Sequence, residues 1–315
     1  MKPGDKYHIG VSTKPFNVRG KGRHYKSPAT GQNLPSVTNI LDCYPKQHAL
    51  VHWSANRQKM FDVNAATELY SQLAAGLEFS SADAYRKRLD EYIGKQRAHV
   101  TELEKAGAIG SRIHKAVEAN MKAAISDYGK ATGLIAESAK QRPQLLVKPD
   151  DLDGAALWAY MAFEDWWNQC SITPLQSEIF LCSDEYGYAG TTDLIAEVVI
   201  DEPLLKRVAP KYRSTKLVSC MGQEVTAVVD FKSGKGVYPD MLLQLAAYIE
   251  AWDERGEVRP GQLLSDTWGM IVRLPKTEDD PEFEVRLLMP RHRQQKLDTF
   301  LAVKKIWEDK HNAWY

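Results

Sequence analysis

The chain has 315 residues, 43 % hydrophobic and 26 % charged, with Lys+Arg and Asp+Glu both at 41 and a formal net charge of zero. This is ordinary globular composition; it excludes a chain whose overall charge announces a polyanionic partner, so any nucleic-acid groove must be local. The four cysteines, at 43, 170, 182 and 220, form no Cys-x-x-Cys pair, which argues against a zinc knuckle and a disulfide framework.

No run of 18 apolar residues occurs, and residues 1–10 carry no apolar leader. A cytoplasmic protein of a bacterial or phage-infected cell, with no membrane partner, is therefore expected. Residues 1–35 are polar, with a basic cluster at Lys14, Arg19, Lys21, Arg23 and Lys26, and read as an irregular arm or short hairpin. A helix is predicted from Ser36 to about Met60, with Ser36 or Thr38 as its cap. Residues 64–124 read as helices, interrupted near Gly76–Ser81 and at Gly107–Gly110.

A connection over roughly 126–150 leads into an aromatic helix, Ala155–Asn168, whose Trp158, Phe163, Trp166 and Trp167 recur at core spacing. A β-rich block follows, with strands at Pro174–Ser183, Gly190–Ile200 and Val225–Lys232. Lys206, Arg207, Lys211, Arg213 and Lys216 make the excursion between the second and third strands basic: a track for a backbone or a solvated loop. A helix at Pro239–Trp252, strands near Thr267–Leu274 and Phe283–Leu288, and a closing helix from about 291 to 311 complete the chain.

The stretch Asp230-Phe231-Lys232 carries the chemistry. A strand holds residues i and i+2 on one face, so it delivers a carboxylate and an ammonium into the same space. Asp193 lies just inside the preceding strand, after the turn-permitting Gly187-Tyr188-Ala189-Gly190. It reads either as a ligand or as a turn aspartate bonded to its own backbone. If the two strands are neighbours, Asp193, Asp230 and the carbonyl of Phe231 offer the hard oxygen ligands that Mg²⁺ or Mn²⁺ prefers.

His114 sits at the edge of the stripe Ile109, Ile113, Val117, either as a further ligand or as a satisfied core-edge histidine. Glu178, on the strand before Asp193, is a further possible ligand or supporting group. Gln244 and Tyr248, at i and i+4, either serve the site or simply touch each other. Trp53 and Arg57, four apart, have the chemistry to stack on a base and hold a phosphate, and Lys235 in its glycine-flanked loop is a phosphate candidate. No GxxxxGK[ST] phosphate loop is present, which disfavours a motor.

This set of residues resembles the PD-(D/E)XK nuclease superfamily, in its RecB-like branch. The matching positions are His114, Gly190 with Asp193, Asp230 with Lys232, and Gln244 with Tyr248. Leu34-Pro35-Ser36-Val37-Thr38-Asn39-Ile40-Leu41 is similar to a segment of the mitochondrial genome maintenance exonuclease and of phage exonucleases. The resemblance implies an α/β fold: a restriction-endonuclease-like core over residues 105–315, its mixed central sheet flanked by helices. Residues 1–104 would be an N-terminal arm and helical region forming part of the DNA-binding cleft.

The resemblance also implies a metal-dependent DNA exonuclease acting on single-stranded ends or flaps, in replication, recombination or repair. Its metal ligands would be His114, Asp193, Asp230 and Phe231, its catalytic groups Asp193, Asp230 and Lys232, and its cofactor Mg²⁺ or Mn²⁺. DNA would be contacted by Ser36, Thr38, Gln244 and Tyr248, joined by Trp53, Arg57 and Lys235. Relatives that hold an iron–sulfur cluster use cysteines after the Gln-x-x-x-Tyr helix; none lies beyond Cys220, so no cluster is expected. A non-catalytic DNA-binding or assembly subunit on the same fold, and a structure-specific endonuclease, are the alternatives.

Overall fold

The computed structural model describes residues 14–45, 47–76, 78–94, 98–131, 152–256 and 266–312. The chain divides into two compact units, one combining the residues up to Tyr44 with those from Gly110 onward, the other running from Pro45 to Ile109. Two cuts thus stand where a single boundary at 104 was expected. The N-terminal segment belongs with the larger unit.

The smaller unit is helical. It contains α2 (Gln47–Ala74), α3 (Ala82–Ile93) and the first part of α4 (Ala98–Ala131). Ser81 caps α3 by accepting from the backbone of Ala84. The helix expected over 36–60 is divided, because α1 ends at Leu41 and Pro45 follows. A proline disfavours helical dihedrals in the residue before it and cannot donate its own nitrogen. By contrast, α4 runs unbroken through Gly107 and Gly110, where an interruption was expected. The cost of about 1 kcal/mol per helical glycine is outweighed there, and Gly110 has a packing reason: a Cβ on it would lie 3.4 Å from Ser233 Oγ.

The larger unit is mixed α/β. Its N-terminal part is a three-stranded antiparallel sheet, β1 (Phe16–Val18), β2 (Gly22–Lys26) and β3 (Asn33–Pro35), followed by the short α1 (Val37–Leu41). The main sheet has the order β4-β5-β6-β7-β8: β4 (Ile172–Ser183), β5 (Tyr188–Val199), β6 (Glu224–Lys232), β7 (Trp268–Arg273) and β8 (Glu284–Leu288). All neighbours are antiparallel except β6 and β7. That parallel pair needs a crossover, and α8 (Pro239–Asp253) supplies it; Pro239 opens the helix where its missing N–H costs nothing.

Helices cover both faces of this sheet, as strict alternation along β6 requires. Phe231 points to α5 (Gly154–Gln169), its ring 5.8 Å from Phe163 and 5.1 Å from Trp166, both edge-on. Val228, of opposite parity, joins the cluster formed by Leu245, Ile249 and Trp252 of α8 and by Phe300 of α9 (Pro290–Asn312). Each buried aromatic removes about 150–250 Å² from water, an upper-bound gain of about 4–6 kcal/mol. Phe163, Trp166 and Trp167 of α5 are core, as their spacing indicated, while Trp158 is half-buried. Between β5 and β6 the chain makes α6 (Glu202–Lys206), a 3-10 turn (Pro210–Tyr212) and α7 (Thr215–Val218). Among the described residues, no helix is long and apolar enough to cross a membrane.

Candidate metal centre

Strand register builds the site. β5 and β6 pair with Leu194 opposite Val229 and Ile195 opposite Val228. One step further along the ladder sets Asp193 opposite Asp230, and directly opposed residues share a face with Cβ atoms about 5 Å apart. The backbone N–H of Phe231 donates to Asp193 Oδ2 at 2.7 Å, which ties the Asp193 carboxylate to the end of β6. Its other oxygen lies 3.3 Å from His114 Nδ1, on α4.

β4 contributes the third donor. Ser177 pairs with Leu194 and Ile179 with Thr192, so Glu178 stands at the level of Asp193. Glu178 has φ +52°, the one positive φ outside glycine among the described residues. A left-handed glutamate within a strand costs about 1–2 kcal/mol, and such strain persists where the surroundings enforce it. Alternation slips at the same level: Gly190 and Ile195, five residues apart, both face α8. One donor atom each from His114, Glu178 and Asp193 lie within 4.8 Å of one another.

Asp230 stands beside this trio and outside it. Its Oδ2 is 2.7 Å from Lys232 Nζ; Asp230 is buried, to 3 % exposure, and Lys232 is half-buried. That oxygen nonetheless accepts no aligned hydrogen bond. Of the expected ligands, His114 and Asp193 stand together with Glu178, the further possible ligand, while the nearest partner of Asp230 is the lysine and the N–H of Phe231 serves Asp193.

Electrostatics follow from burying these groups together. Burial, then the charges of Asp193 and Glu118, push Glu178 up to about 7, against weaker pulls from His114 and Lys122. Burial raises Asp230 too, and Lys232 offsets only part of that. For Asp193 burial acts upward, yet the hydrogen bond and charge of His114, with Lys232 and the Phe231 N–H, bring it below the usual value. Burial lowers Lys232 and His114, but their carboxylates hold both above their ordinary values. Glu118 and Lys122, four and eight residues after His114 on α4, escaped the sequence reading; the successive i, i+4 steps from His114 to Glu118 and from Glu118 to Lys122 were the available signal.

These donors fit a small divalent cation. Two ligands each about 2.1 Å from one ion are at most about 4.2 Å apart, so the trio must draw closer together to share one. One imidazole and two carboxylates are a suitable set, the strained Glu178 is aimed at it, and Asp230 Oδ2 has unused acceptor capacity. Such a cation would also relieve the repulsion that pushes Glu178 upward.

The flanking residues divide by role. Gln244 Nε2 donates to Tyr248 Oη at 3.2 Å, both groups being buried. Tyr248 lies against Gly190, and burial holds its phenol well above the ordinary range, so it stays a neutral donor. Ser36 is buried; its Oγ accepts from the Asn39 N–H at 3.1 Å and caps α1, which is the cap reading of this residue. The Thr38 hydroxyl is 3.1 Å from it, on an exposed residue. Lys235 is exposed in the turn between β6 and α8. Trp53 and Arg57 are half-buried on α2, in the smaller unit. No protein-family model matches this chain, and no curated protein matches it.

Proposed function

We propose that this protein is a metal-dependent deoxyribonuclease of PD-(D/E)XK type, in the RecB-like branch, hydrolysing phosphodiester bonds at single-stranded DNA ends or flaps. The observation that carries the reading is the convergence of His114, Glu178 and Asp193 beside the Asp230–Lys232 pair. Three neighbouring strands and one helix each deliver a polar group to a single place. Structural packing alone gives no reason to gather one buried and two half-buried carboxylates there, since buried charges cost several kcal/mol each unless compensated.

His114, Glu178 and Asp193 would hold Mg²⁺ or Mn²⁺, with Asp230 within reach. Such a cation supplies Lewis-acid charge that acidifies water and offsets the phosphoryl oxygens. Lys232, kept protonated by Asp230 and Asp193, places a fixed positive charge where the phosphoryl group gains negative charge. Asp230 holds that ammonium on the strand face. Tyr248, kept neutral and fixed by Gln244, supports the wall next to Gly190. The preference for DNA ends comes from the resemblance of the motif set.

The test is an assay on end-labelled linear and on circular single strands with Mn²⁺ or Mg²⁺, alongside Asp193→Ala and Lys232→Ala. Metal-dependent shortening of linear strands, lost in both variants, is the expected result. Intact circles are expected of an exonuclease, whereas cut circles would make it an endonuclease. Strand binding without cleavage under any metal would leave a non-catalytic DNA-binding subunit.

A further inference from the structure

The basic excursion between β5 and β6 holds committed cations and two others without an ion pair among the described residues, Lys211, which lies over the Tyr212 ring, and Lys216. Lys206 pairs with Glu202, Arg207 with Glu282, and Arg213 donates to the carbonyls of Val208 and Lys206. Lys216, on α7, has no ion pair among the described residues. It faces cations from two other elements, Arg286 on β8 and Arg291 and Lys296 on α9, and none of these carries an ion pair among the described residues either.

Arg286 and Arg291 line a cavity of about 140 Å³ together with Tyr212, Ser214 and His292, and Lys216 and Lys296 lie near enough to act on His292. The Arg286 guanidinium lies over the Tyr212 ring, 3.0 Å from its centroid, which fixes its plane. Arg291 Nε donates to His292 Nε2 at 3.0 Å, and its Nη2 approaches Ser214 Oγ at 3.5 Å. His292 is thereby kept as an acceptor, and desolvation followed by Arg291, Lys296, Lys216 and Arg286 lowers its pKa. No acidic residue occupies the first turn of α9, although cations at a helix N-terminus are disfavoured by its dipole. Positive charge is thus concentrated on a concave surface, where Glu284, itself paired with Arg273, is the carboxylate that acts on Arg286.

We infer that this cleft is a second nucleic-acid contact, in which Lys216, Arg286 and Arg291 hold backbone phosphate groups away from the metal centre. The inference rests on the nuclease reading for its choice of polyanion. The fixed Arg286 plane and the anchored Arg291 suit bidentate phosphate recognition. The lining of the cleft shares no residue with the metal centre. Arg286 pairs with Ile271 and Ile271 with Asp230, so it stands level with Asp230 and two strands, about 10 Å, to the side.

The experiment measures binding of a labelled oligothymidylate to the full chain in EDTA, as a function of salt, for wild type and for Lys216→Gln/Arg291→Gln. Both residues are exposed, and equal thermal midpoints check the fold. The expected result is binding weakened several-fold and a log–log salt slope smaller by about 1.4, at about 0.7 per lost single-strand contact. An unaltered salt slope overturns the inference. An unaltered slope with lost stabilisation by inorganic phosphate would make the cleft a free-phosphate site, which overturns it equally. Because binding is read without metal, absence of cleavage in the wild type would count against the nuclease reading alone.

Discussion

A Cβ atom on Gly190 would lie 2.6 Å from Cε1 and 2.9 Å from Oη of Tyr248. The glycine three residues before Asp193 and the tyrosine four after Gln244 are thus two halves of one contact: the ring occupies the space where a side chain would be. The backbone at Gly190 is not left-handed, so space alone demands glycine there. Gly190→Ala is expected to cost about 1–3 kcal/mol from overpacking and to break the Gln244–Tyr248 hydrogen bond by displacing the ring. Denaturant unfolding reads the first effect. Restoration of stability by adding Tyr248→Phe or Tyr248→Leu would show which atoms collide.

Glu178 combines a left-handed backbone with a carboxylate in the trio, and two substitutions separate those features. Glu178→Ala removes the carboxylate and keeps a Cβ in the disfavoured region. Glu178→Gly removes both. Without metal, the glycine variant is expected to be about 1 kcal/mol more stable than the alanine variant, the reverse of the usual order in a strand. Both should lose Mn²⁺ affinity equally. Urea unfolding of the pair checks the backbone argument, and a Mn²⁺ titration checks the ligand argument.

The value of about 7 at Glu178 sets a pH window with a definite sign. The folded state holds this proton more firmly than the unfolded chain, whose glutamate titrates near 4.5. Metal-free stability contributed here therefore falls as pH rises from about 4.5 to 7, and levels off above. His114, also raised, acts in the same direction around and above 6.5. Cation binding must displace these protons, so Mn²⁺ affinity is expected to climb with pH through about 7. Calorimetry at pH 6.5 in two buffers of different ionisation enthalpy should show proton release. Equal heats in both would contradict it.

Much of the main sheet was legible because buried strands alternate. β4 to β8, α8 and α9 fall within about two residues of their predicted limits, and Pro239 marks its helix start. The register that opposes Asp193 and Asp230 follows from two strands joined by one excursion. Other features left no local trace. A left-handed glutamate looks like any glutamate, so nothing promoted Glu178 above Asp230 as a partner of His114. The three-stranded N-terminal sheet is made of segments too short for periodicity to register. The basic cleft draws Lys216, Arg286 and Arg291 from three elements, and only the β6-α8-β7-β8 topology assembles them.

The Asp230–Lys232 pair yields the sharpest separation of stability from chemistry. Asp230 is buried and Lys232 half-buried, so removing the lysine strands the carboxylate. Lys232→Met is expected to destabilise by about 3–5 kcal/mol at pH 8, and by less as the pH falls and Asp230 takes up a proton. That sign follows from burial already raising the carboxyl; losing the ammonium removes its main opposing influence. Asp230→Asn leaves the amine unpaired and should also destabilise. The double variant Asp230→Asn/Lys232→Met is expected to be more stable than the sum of the singles implies, with a coupling of about 0.5–3 kcal/mol. Turnover will not recover with stability: without the ammonium, hydrolysis should stay down about 10²–10³-fold. A double variant that regains stability and cleavage together would assign Lys232 a structural role only.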